Sequence, residues 1–175
     1  MMKKREHRGF TLVELMVVIA IIITLAAISI PLMRGYIAKS KQAACMTSLR
    51  GLGVALEIYL QEHNRRMPDI AAGRPSKSSD IEAIETVLKP YVPGEESFHC
   101  PADSVQFQKT GSSYLWNSSI SGQLANNLSF LNIDGRPQAI PLIADKEGWH
   151  PGPKSTNILY ADLSASSDLR FVTTP

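Results

Sequence analysis

Arg8-Gly9-Phe10-Thr11-Leu12-Val13-Glu14-Leu15-Met16-Val17-Val18-Ile19-Ala20-Ile21-Ile22-Ile23 is the stretch on which the fold turns. It joins a basic flank to a run so apolar that residues 15–33 hold no charged side chain. As a helix, that run crosses a hydrocarbon core of about 30 Å. One residue breaks the pattern. Glu14 lies among leucine, valine and methionine, where an ionised carboxylate costs several kcal/mol unless it finds a partner. The reading of the whole chain follows from what that partner is.

The flank is basic because Lys3, Lys4, Arg5 and Arg8 outnumber Glu6. Residues 1–9 contribute +3 to a formal net charge of +2, so the remaining residues carry −1. The basic balance therefore belongs to the leader, and the body lacks the charge expected of a nucleic-acid binder. By the positive-inside rule the flank stays in the cytoplasm and everything after the apolar run lies outside. The run exceeds the 7–15 apolar residues of an ordinary secretory signal. An uncleaved N-terminal anchor is the plain alternative.

Arg8-Gly9-Phe10-Thr11-Leu12-Val13-Glu14-Leu15 resembles the processing site of type IV pilins and type II secretion pseudopilins. In that family a membrane peptidase cuts after the glycine, then methylates the new terminal amine. The resemblance implies a cut between Gly9 and Phe10, methylation of Phe10, and retention of the apolar helix. It also supplies a partner for Glu14: the positive amine of Phe10, on a neighbouring subunit or on its own chain. Pairing between subunits would set their register as they leave the bilayer, since an unpaired charge in a low-dielectric site is driven toward whatever neutralises it. The bland reading leaves Glu14 wet at headgroup depth.

Pro31 removes a helical hydrogen bond and is the expected kink. Gly35 adds a second weak point. Beyond it the pattern becomes one-sided: Cys45, Leu49, Leu52, Leu56, Tyr59 and His63 recur at intervals of three or four, an amphipathic stripe. Gly51 and Gly53 weaken that helix and allow close approach of a sheet. Tyr59 and His63 read as core beneath it, and Met16, Met33 and Met46 as packing residues. The helix is expected to end near Arg65–Met67, before Pro68. From Phe10 it would be about 85 Å long at 1.5 Å per residue.

The organisation expected is a cleaved leader over 1–9, an assembly half-helix over 10–34, an amphipathic half over 35–67 and a small α+β domain over 68–175. In the last, Asp80–Lys89 reads as a helix capped by Ser79, with Ile81, Ile84 and Leu88 on one face. Ser113–Trp116, Gln138–Ala144, Asn157–Ala161 and Leu169–Thr173 read as strands, the last two as a hairpin through Asp162–Asp168. The predicted fold class is α+β and pilin-like: a long helix packed on a small antiparallel sheet.

This half resembles one branch of pilin-like proteins through Phe98-His99-Cys100-Pro101-Ala102-Asp103, Ser113-Tyr114-Leu115-Trp116-Asn117, His150 and Asn157-Ile158-Leu159-Tyr160-Ala161-Asp162. The step from His150 to Asp162 is two residues longer than in that pattern, and Leu163 stands where glycine is usual. Cys45 and Cys100 either bridge outside the cytoplasm or remain free thiols; their number alone allows both. His99, Cys100, Asp103 and His150 contain the elements of a thiol site, but Cys100 beside Pro101 reads as structural. No serine elbow, phosphate loop or HExxH element is present. Some pseudopilins hold calcium in a C-terminal loop. Asp134, Asp145, Asp162 and Asp168 are donors of that type, without EF-hand spacing, and solvated loop acids are the plainer reading.

The expectation is a non-enzymatic prepilin needing no cofactor, anchored once in a bacterial inner membrane with its C-terminal domain in the periplasm. Its partners would be related pilin subunits, the prepilin peptidase and an inner-membrane assembly platform. The favoured assembly is a type II secretion pseudopilus. The alternatives are a type IV pilus serving adhesion, motility or DNA uptake, and a membrane-anchored binding module that never polymerises.

Overall fold

The computed structural model describes residues 10–170 and divides the chain into two units, Met1–Ile37 and Ala38–Pro175. One helix, α1 (Leu12–Glu62), contributes to both. The helix assignment continues uninterrupted through Pro31, whose side chain lies outside the described residues. Gly9 and residues 171–173, part of the expected last strand, lie outside them as well.

Among the described residues of the N-terminal unit, none covers the helix. Every large apolar side chain described between Phe10 and Ile37 is exposed, which a water-soluble surface does not tolerate over such an area. By length and composition this part of α1 is able to cross a membrane.

In the second unit the same helix buries one stripe. Cys45, Leu49, Leu52, Ala55, Leu56 and Leu60 are almost wholly enclosed. They pack with Tyr114, Trp116, Ile143 and Leu159 of the sheet in a single apolar core. Burying one such side chain stabilises by about 1.5–3 kcal/mol, so this stripe is the main tie between helix and sheet. Gly53 belongs to it. A β-carbon there would meet Leu159 at 3.2 Å and Leu163 at 3.3 Å. Gly51 faces open space, so only one of the two glycines serves close approach. His63 departs from its expected place. Leu60 continues the stripe, and exposed His63 stacks on Tyr59 at 3.8 Å. α1 ends at Glu62, earlier than expected, because Asn64 and Arg65 both turn left-handed, at φ 52° and 59°. Asparagine is one of the few side chains that favours that region at a helix end.

The main sheet has four antiparallel strands in the order β1 (Tyr114–Trp116), β4 (Pro141–Asp145), β5 (Ile158–Tyr160) and β6 (Ala165–Ser166). Tyr114 pairs with Asp145, Ala144 with Ile158, and Leu159 with Ala165. A separate two-stranded hairpin joins β2 (Ser129–Phe130) to β3 (Ile133–Asp134). Among the described residues the unit also holds two short α-helices, α2 (Ile84–Val87) and α3 (Gln106–Thr110), and five single-turn 3-10 helices.

Two expectations need correction. The helix over Asp80–Lys89 shrinks to α2. Glu82 is held outside it, its carbonyl accepting the Ala71 N–H at 3.1 Å, so Ala83 rather than Ser79 precedes the first turn and Ile81 is exposed. The last hairpin is much tighter than a turn over Asp162–Asp168. Its partner strand is β6, and the loop is Ala161-Asp162-Leu163, closed by Tyr160 N–H to Ser164 O at 2.9 Å. Three-residue hairpins place their last loop residue left-handed, which Leu163 does at φ 61° where glycine is favoured. Contact between its side chain and α1 beside Gly53 compensates. Leu169 and Arg170 then leave the sheet. The Tyr160 hydroxyl donates to Asp168 O at 2.7 Å and accepts from Arg170 N–H at 3.1 Å, folding that segment over the ring.

Candidate functional site

The first turn of α1 arranges Glu14 through its own neighbours. Thr11 is the residue before the helix. Its N–H donates to Glu14 Oε2 at 2.9 Å, and its hydroxyl donates to the same oxygen at 2.7 Å. The Glu14 N–H returns a bond to Thr11 Oγ1 at 3.2 Å. This reciprocal Thr-x-x-Glu box satisfies donors that a helix start leaves open. The positive end of the helix dipole favours a carboxylate there. Sequence analysis missed the box, although Thr11 three residues before Glu14 is its signature. Glu14 is therefore neither loose nor buried. It is held within one turn of Phe10, itself 74% exposed, at the head of an uncovered apolar helix.

Three sequence elements singled out in the C-terminal half meet in one structural knot. Cys45 and Cys100 form a disulfide, with Cα atoms 4.9 Å apart, that ties α1 to the loop before α3. The Asp103 carboxylate accepts the N–H groups of Val105 and Gln106 at 2.8 Å, and that of Phe107 at 2.7 Å. The Ser113 hydroxyl donates to it at 2.7 Å. Burial works to raise the Asp103 pKa, but these four bonds together hold it below the usual carboxylate value. Asn117 receives the Ser119 N–H and donates to Pro141 O, bridging β1 to the start of β4.

His150 and Asp145 lie beside the disulfide, both side chains fully enclosed. His150 Nε2 is 3.2 Å from Asp145 Oδ2 and 3.6 Å from Cys100 Sγ. Burial pushes the Asp145 pKa up to about 7, against the opposing bond from the Asn157 N–H, and burial pushes that of His150 down. Both shifts favour a neutral pair sharing a proton. Both neighbours of His150 face the same ring nitrogen, while Nδ1 has no partner among the described residues. A thiol relay needs the two nitrogens to serve different groups, and Cys100 is bonded to Cys45. His99 is engaged elsewhere, by Glu96 at 3.0 Å and Asp103 O at 3.2 Å, and is stacked on Phe107.

The four aspartates considered for calcium are not gathered together. Asp145 is in the buried pair, Asp134 is exposed in β3, and Asp162 caps the β5–β6 turn through Ser164 N–H at 2.9 Å. Asp168 pairs with Lys154. Among the described residues the one cluster with metal-ligand spacing is Cys45, Cys100 and His150.

Comparison with known proteins bears on the N-terminal helix. Residues 4–30 match the prokaryotic N-terminal methylation motif. The type IV major pilin protein of Myxococcus xanthus is 48% identical over 60 residues, covering 34% of this chain and 27% of its own length. A type IV major fimbrial protein of Dichelobacter nodosus is 44% identical over 66 residues, covering 38% and 41%. Another from the same organism is 37% identical over 90 residues, covering 46% and 56%. The chain thus spans between about a quarter and just over half the length of these relatives. No solved structure gives a significant match. Over its N-terminal helix the chain is therefore similar to type IV pilins and carries the methylation motif.

Proposed function

We propose that the chain is a structural filament subunit: cut between Gly9 and Phe10, N-methylated on Phe10, and assembled through the exposed part of α1. It acts by packing rather than by catalysis. The observation that carries this reading is the uncovered apolar helix headed by a positioned carboxylate. In the bilayer, lipid covers that helix. In a filament, the same helices from other copies cover it, and the Glu14 carboxylate meets the Phe10 amine of a neighbour. Prepilin peptidase and an inner-membrane assembly platform are the partners this route requires. The second unit would lie in the periplasm before assembly and on the filament exterior afterwards.

The matched segment is the assembly helix, which pilus and pseudopilus subunits share. The relatives named as type IV pilins support the pilus reading. The pseudopilus reading, which we favour, is supported by the small second unit, whose disulfide anchors a loop to α1 instead of enclosing a loop near the C-terminus. Deletion of the gene separates them. A pseudopilin mutant retains folded exoproteins in the periplasm, and a pilus mutant loses surface fibres.

Glu14→Ala tests the filament role itself. The variant is expected to be cut normally, to remain in the membrane and to be absent from sheared filaments. Normal incorporation would remove the assembly role of Glu14. An intact terminus with indifference to this substitution would favour the non-polymerising anchor.

A further inference from the structure

The disulfide has neighbours that a structural bridge does not need. Apolar side chains would enclose it at less cost than a buried carboxylate and a buried imidazole. Yet Asp145 and His150 enter from β4 and the loop after it; His150 reaches Cys100, and Asp145 backs the same ring nitrogen. The Sγ atoms of Cys45 and Cys100 and a ring nitrogen of His150 all lie within 4.8 Å of one another. All four residues are buried.

Two of their spacings match edges of a tetrahedral metal site. With zinc–sulfur bonds of about 2.3 Å and zinc–nitrogen or zinc–oxygen bonds of about 2.0–2.1 Å, a tetrahedron has S···N edges of about 3.6 Å and N···O edges of about 3.3 Å. Cys100 Sγ to His150 Nε2 measures 3.6 Å, and Nε2 to Asp145 Oδ2 measures 3.2 Å. Of the other four edges, the one between the two thiolates would be about 3.8 Å for the same bond lengths. Opening the sulfur–sulfur bond and drawing the Asp145 carboxylate from His150 toward the two sulfurs are the changes the set requires.

We propose that reduction of the Cys45–Cys100 bridge creates a four-coordinate site for Zn²⁺, with two thiolates, His150 Nε2 and Asp145 Oδ2 as ligands. A dithiol reductant closes its own disulfide, giving two electrons and two protons, and the S–S bond of the chain opens to two thiols. Metal binding then releases both thiol protons, together with the proton held between Nε2 and Oδ2. Two thiolates, one carboxylate, a neutral imidazole and Zn²⁺ leave a net charge of −1. Thiolate ligands select zinc over the hard cations calcium and magnesium. Coordination replaces the covalent link between α1 and the Cys100 loop, so the second unit keeps that tie in either redox state. The inference does not depend on filament assembly.

The test uses the full chain in detergent, reduced by a phosphine, desalted anaerobically and titrated with Co²⁺ and then Zn²⁺. The expected result is one Co²⁺ per chain, with thiolate charge-transfer absorption and the intense d–d bands of tetrahedral geometry, displaced by one Zn²⁺. Far-UV circular dichroism should match the oxidised protein. Asp145→Asn and His150→Ala should each weaken Zn²⁺ affinity at least tenfold, and Cys45→Ser should abolish it. Oxidised samples of the first two variants report whether they fold. Octahedral bands, no stoichiometric uptake, or unfolding of the reduced chain with metal present would each overturn the proposal. So would equal affinity in wild type, Asp145→Asn and His150→Ala, which would mean chelation by two thiols alone.

Discussion

The two parts of α1 obey opposite rules. Up to Ile37 its described large apolar side chains are all exposed, and its one acid is held by Thr11 at the first turn. After Ala38 it shows the ordinary pattern of a core helix, with Leu49, Leu52, Leu56 and Leu60 inside and charged side chains outside. The second part folds because its stripe is covered by the chain's own sheet. The first has no such cover among the described residues, and in the proposed function lipid or other copies supply it. Stability and the proposed assembly are therefore written in separate segments of one helix, and substitutions should separate them.

The largest expected effect on stability lies in the second part. Replacing Cys45 and Cys100 by serine removes a link across 55 residues, worth about 4 kcal/mol on the chain-entropy view, and should lower the denaturation midpoint accordingly. Leu56→Ala should cost about 3 kcal/mol through the cavity left under the sheet. Val17→Ala, an equally apolar truncation in the exposed part, should change the unfolding midpoint of the second unit by less than about 0.5 kcal/mol. Equal effects from Leu56→Ala and Val17→Ala would break the comparison.

Smaller effects sharpen it. Two buried carboxylates of the second unit carry opposite signs. Asp103, whose pKa lies below its usual value, contributes stability above about pH 4, which is lost as pH falls through its folded pKa. Asp145, raised to about 7, contributes stability below about pH 4 that is lost as pH rises through about 7. Wild type should therefore lose stability relative to Asp145→Asn between those limits, as denaturation at a series of pH values would show. Smallest of all, Gly51→Ala should stabilise by about 0.5–1 kcal/mol, because its face is open. Gly53→Ala should gain less or lose, because Leu159 and Leu163 must yield.

The parts legible in advance were those whose signal is local. The apolar run, the amphipathic stripe through Leu56 and the strands at Tyr114–Trp116 and Ile158–Tyr160 follow from periodicity and composition. The hairpin of β2 and β3 was missed because Leu131 and Asn132 both turn left-handed without the glycine that marks such loops. α3 was missed because its support is tertiary, from Asp103 and Ser113, though Gly111 at φ 91° marks its end. At the candidate site, Glu14 stood out by its chemistry, whereas the meeting of Cys100, Asp145 and His150 depends on two loops and the end of β4, which no spacing reveals. His63 fitted the period of the stripe but lay beyond the sheet's cover.

Intact-mass and N-terminal analysis of the protein from native membranes tests the central claim most directly. A polypeptide beginning at N-methylated Phe10 is the predicted result. A mature chain that retains residues 1–9 would contradict it.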